Sequence, residues 1–143
     1  MMISPTKWTS FIFAGNVAHA FYMQNPLYHH MSLCVLALSL AVHHTSWEKT
    51  HRHLLLLDKI VAHVFAGVVL RDLLSAPCVW CLCPFAAGWG CWVLQCFLPP
   101  SSRGLPQACL HVMACASTHI ALHFISARPF SSASFPQTVP CPL

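Results

Sequence analysis

Glu48, Asp58 and Asp72 are the only acidic side chains in 143 residues; charged residues of both signs make up 7% of the chain, while hydrophobic residues make up 57%. Soluble domains give about a quarter of their residues to charge, because charge keeps a folded exterior in water. A chain this poor in charge cannot assemble that exterior, so most of its outer surface must lie against something apolar. The fold class this implies is all-α: a small polytopic membrane protein of three to five apolar helices. Its partners are then the lipid bilayer and other membrane helices.

Charges punctuate such a chain, since one at the bilayer centre costs about 2.5–3.5 kcal/mol on insertion scales. Residues 8–47 carry none. Pro26, in the polar break Gln24-Asn25-Pro26, divides them into a short piece, Trp8 to Met23, and a stronger one, Leu27 to His44. A polar hinge over 45–52 leads to a third segment, 53–75. Its uninterrupted apolar centre, Ile60 to Leu70, is flanked by Asp58 and Lys59 on one side and Arg71 and Asp72 on the other. That pattern suits an amphipathic or protein-covered helix as well as a lipid-facing one. The 78–98 and 105–127 segments are charge-free and the clearest spans. Trp80, Trp89 and Trp92 are available for interfacial anchoring, and Pro84, Gly88 and Gly90 are expected to weaken or kink the fourth helix. Residues 1–128 read as one helical membrane region. Residues 129–143, rich in Pro and Ser, read as a disordered tail.

Five alternating spans would put Lys7, the 45–52 hinge and Arg103 on one side and Arg71 and Arg128 on the other. The positive-inside rule then assigns the N-terminus to the cytosol. An alternative for the N-terminus is a signal peptide, with Ala18-His19-Ala20 as the cleavage pattern. The seven Lys and Arg residues are scattered, not gathered into a patch, which argues against nucleic acid as a partner. Of nine cysteines, Cys34, Cys78, Cys81, Cys83, Cys91, Cys96, Cys109 and Cys115 lie within apolar runs and read as small hydrophobes rather than a disulfide framework.

Eleven histidines are many for a membrane chain, where a polar ring needs a partner and often marks a site. Ser39 and His43 stand four apart on one helical face, Asp58 follows across the hinge, and His119 and His123 form an H-x-x-x-H pair in the last segment. Imidazoles at i and i+4 can chelate zinc, and a third histidine with an open fourth position yields an activated water. His43, His119 and His123 would be the metal ligands. Asp58 would orient or deprotonate the water, and Ser39 would support the oxyanion. At these positions the pattern resembles the membrane hydrolase superfamily of alkaline ceramidases, adiponectin receptors and hemolysin III-like proteins. The resemblance implies a seven-helix architecture and zinc-dependent hydrolysis of lipid amides; this chain has room for five spans.

Cys78-Val-Trp-Cys81 has the spacing of redox dithiols and of half a zinc site. There is no P-loop, G-x-G-x-x-G, G-x-S-x-G or H-E-x-x-H, and three acids offer no convincing carboxylate pair for glycoside chemistry. Three functional expectations follow. The first is a non-catalytic membrane protein with a packing or interaction role and no cofactor. The second is the product of a short open reading frame with no selected activity. The third is the zinc hydrolase.

Overall fold

The computed structural model describes residues 9–44, 52–76 and 78–126, without the side chains of His43, His44 and Pro100. The 45–51 part of the hinge and the tail at 129–143 lie outside the described residues. The described residues form five α-helices: α1 (Phe13–Tyr22), α2 (Pro26–His44), α3 (Arg52–Leu74), α4 (Cys83–Phe97) and α5 (Gly104–Ser126). Short 3-10 turns, Val79–Leu82 and Pro100–Ser102, precede α4 and α5. No strand occurs among the described residues, so the chain is all-α there.

Local chemistry sets the boundaries. α1 ends where Gln24 takes a left-handed backbone, φ 52°. The Gln24 N–H then reaches the Phe21 carbonyl and the Asn25 N–H the Ala20 carbonyl, each at 3.0 Å, which satisfies two carbonyls at the helix end. Asn25 at once opens α2: its Oδ1 accepts from the Tyr28 N–H at 3.1 Å, and Pro26 occupies the first helical position, where no donor is needed. The break read at Gln24-Asn25-Pro26 is thus a two-way cap. Pro84 falls within the first turn of α4, so it starts that helix and does not kink it.

Contacts fix the directions. α1 and α2 form an antiparallel hairpin, with Ser39 Oγ donating to Ser10 Oγ at 3.0 Å. Tyr28 at the start of α2 meets Asp72 at the end of α3. Gly88 of α4 packs on Leu110 and Met113 of α5, again antiparallel. The helices therefore alternate up and down, and α5 is the central one, touching α1, α3 and α4. Phe13, Ala20, Tyr28, Val35, Phe65, Val69, Leu73, Ala121 and Leu122 make the core.

Three stretches are long and apolar enough to cross a membrane: Arg52–Leu74, Val79–Phe97 and Gly104–Ser126. α2 is apolar over Pro26–Val42 but falls short of that length. α1, with ten residues, rises about 15 Å, half of a bilayer's hydrocarbon thickness. The third segment, expected to be the most amphipathic, buries a narrow stripe of Phe65, Val69 and Leu73 and leaves Leu56, Leu57, Ile60 and Val64 exposed. Its outer face is largely apolar, with Lys59, His63 and Arg71 also exposed and the His63 ring packed edge-on to Trp89 and Trp92 of α4.

Small residues allow the α4–α5 approach. A Cβ on Gly88 would stand 3.3 Å from the Met113 Cβ, whereas one on Gly90 would meet nothing within 4 Å. Gly90→Ala is therefore expected to stabilise the bundle by about 0.5–1 kcal/mol through helix propensity. Gly88→Ala should gain less or lose, because the new methyl must push Met113 aside. Thermal unfolding of the two variants in the same detergent checks the order.

Candidate functional site

Polar side chains are concentrated between α1 and α5, which run parallel. At one end the buried His111 ring is held from both sides. Gln107 Nε2 stands 3.2 Å from His111 Nε2, and Thr9 Oγ1 stands 3.0 Å from Nδ1. With the amide donating to Nε2, the ring proton is on Nδ1 and is donated to Thr9. One turn on, the Cys115 thiol donates to Asn16 Oδ1 at 2.9 Å. Asn16 is fully buried, and its Nδ2 has no partner among the described residues. A further turn on, the His19 and His119 rings stack with centroids 4.5 Å apart and share a hydrogen bond between their Nδ1 atoms. One of those nitrogens must carry the proton and the other accept it. Gly15 lies alongside, and a Cβ there would be 3.9 Å from His119 Nε2.

Hydroxyls elsewhere in α5 are satisfied without a partner helix. Ser117 Oγ donates to the Met113 carbonyl at 2.8 Å and Thr118 Oγ1 to the Ala114 carbonyl at 2.9 Å. Such back-bonding lets a polar residue sit in an apolar helix at little cost. The α1–α5 contacts differ because they join residues about a hundred positions apart, and so belong to the tertiary fold.

His119 also opens outward. With His123, Cys78, Cys81, Trp80, Ile120 and Phe124 it lines a shallow groove of about 440 Å³ at the end of the bundle where α3 hands over to α4. His123 is exposed, with its ring edge-on to Phe124. The groove thus joins the H-x-x-x-H pair to the C-x-x-C pair, two motifs that the sequence presents separately.

The other residues singled out from the sequence lie elsewhere. Ser39 is buried against Ser10 at the far end of α1. Its level and that of the His19–His119 pair are nine residues apart on α1, roughly 14 Å at the helical rise. Asp58, half-buried, is fourteen residues before Asp72 on α3 and so about 21 Å from the groove end. His43 is in the last turn of α2, and its side chain lies outside the described part of the chain. The structure brings His119 together with His123, and keeps Ser39 and Asp58 toward the opposite end. Among the described residues no three His, Cys, Asp or Glu side chains form a group that could hold a metal ion as placed.

Sequence reasoning passed over the partners of His119, Cys115 and His111. Asn16 and His19 are three apart on α1 and Cys115 and His119 four apart on α5, which puts each pair on one helical face without saying that the two faces meet. Comparison of the chain with protein-family models, curated proteins and solved structures finds no match.

Proposed function

We propose that this chain is a small integral membrane protein with a non-catalytic role, an α-helical bundle that packs against lipid and offers its outer helices to other membrane helices. One observation carries the reading. In the most apolar windows of α3 and of the Val79–Phe97 stretch, 11% and 6% of residues are buried within the protein, against 39% for the central α5. Apolar helices left bare in this way would form a large exposed patch in water, and lipid covers such a surface without penalty. Among the described residues, Arg52, Lys59 and Arg103 lie toward the end at which α3 and α5 begin, and Arg71 toward the other. The positive-inside rule makes the first end cytosolic.

Membrane fractionation of the expressed full chain tests this. Retention in the bilayer through alkaline carbonate washing, with recovery of a helical, monodisperse particle in detergent, is the expected result. Release as a monodisperse soluble species would overturn it. Rapid degradation without folded material would instead favour an open reading frame with no selected activity. The zinc-hydrolase alternative draws support from His119 and His123 sharing one groove. Stoichiometric zinc in purified protein, lost in the His119→Ala/His123→Ala variant, would favour it over the non-catalytic reading.

A further inference from the structure

We propose that Cys78 and Cys81 are a dithiol–disulfide site, open to a low-molecular-weight disulfide of the glutathione type. The backbone supplies the first argument. Cys78, extended at φ −115° and ψ 115°, caps the 3-10 turn Val79–Leu82, and the Cys81 N–H closes that turn on the Cys78 carbonyl at 3.2 Å. A turn of this kind brings Cα atoms three residues apart to within about 7 Å, and a disulfide spans about 4.4–6.8 Å. Neither sulfur is in a disulfide. Cys83 is excluded from the pair because side chains two apart at the start of a helix diverge.

The groove supplies the second argument. Both cysteines line it, and at about 440 Å³ it has room for one tripeptide half of such a disulfide. Trp80, Ile120 and Phe124 offer it apolar contact, while the exposed His123 ring offers a donor for a carboxylate. Cys78 is 7% exposed and Cys81 is half-buried, so an incoming disulfide meets Cys81 first. The Cys81 thiolate attacks one sulfur of the small disulfide, forming a mixed disulfide and expelling one thiol. Cys78 then attacks the Cys81 sulfur, closing the Cys78–Cys81 bond and expelling the second thiol. Two protein thiols are oxidised, one small disulfide is reduced to two thiols, and the two protons leave with them.

The test is equilibration of the full chain in nanodiscs with glutathione buffers from reducing to oxidising, followed by acid quench, denaturation, alkylation and peptide mass mapping. The expected result is a peptide carrying Cys78 and Cys81 that loses two hydrogens and escapes alkylation at the oxidising end, reversibly. Cys34 and Cys96, both exposed on other helix faces, should stay alkylated. In Cys78→Ser, Cys81 should retain one glutathionyl group at ~10-fold or more the level on Cys34 or Cys96. The proposal is overturned if wild-type Cys81 is alkylated across the whole range, or if its disulfide runs to another cysteine. Protection that appears with added zinc and not with oxidant would overturn it too, by making the groove a metal site.

Discussion

An arginine in place of Val64 is expected to cost the inserted state about 2.5–3.5 kcal/mol, roughly a hundredfold in the inserted fraction. Val64 is 56% exposed at the middle of α3, on the face that carries Leu57 and Ile60 and that no other described helix covers. A guanidinium at that depth is far from both ends of a 23-residue helix, so it must drag water into the hydrocarbon or force α3 out. Val64→Leu, which keeps the apolar face, should insert like wild type. A glycosylation reporter on the full chain in microsomes reads the effect, and equal insertion of the Arg and Leu variants would mean that this face of α3 does not meet lipid.

Tyr28→Phe is expected to destabilise the folded bundle by about 1.5–3 kcal/mol, the range for a hydrogen bond to a charged acceptor. Tyr28 is 1% exposed, and its Oη donates to Asp72 Oδ2 at 2.9 Å, joining the start of α2 to the end of α3. Asp72 is mostly buried, and Arg71 Nε donates to its other oxygen at 2.8 Å. Because the Arg71 side chain is 66% exposed, that ion pair contributes little by itself, and the buried tyrosine hydroxyl makes the larger difference. Phenylalanine keeps the ring edge-on to Phe65, centroids 5.6 Å apart, so packing survives and the lost bond is isolated. A double-mutant cycle with Asp72→Ala, read by thermal unfolding in nanodiscs, measures the coupling; additive effects would show that the two side chains do not interact.

Helix positions were legible in the sequence because they depend on breaks. Pro26, the 45–52 hinge and the Pro99-Pro100 loop each interrupt an apolar run, and α2, α3 and α5 begin and end within a residue of the segments those breaks define. Pro84 was misread because its consequence depends on position: the same residue that kinks a helix interior starts a helix from its first turn. What no periodicity could disclose was the pairing. Helices that are apolar nearly all round carry no stripe that says which face turns inward. The buried side of α5 is therefore marked by Cys115, His119 and His111, whose partners are identifiable only once α1 lies parallel to it. The candidate site follows the same logic. His119–His123 and Cys78–Cys81 are visible as spacings, while their meeting in one groove is a product of α4 and α5 packing antiparallel.

The α1–α5 ladder also sets a timetable for making the protein. Its hydrogen bonds join residues 99 to 103 positions apart, so Asn16 and His19 leave the ribosome long before Cys115 and His119 exist. A ten-residue helix with a buried amide and an imidazole is a poor substrate for the translocon by itself. On the membrane reading proposed above, α1 waits at the interface or against α2 until the last helix is synthesised and offers the matching polar face. Contacts of this sequence separation form late. The interval leaves an unfinished chain with unsatisfied polar groups on α1, and premature termination before α5 would make that condition permanent.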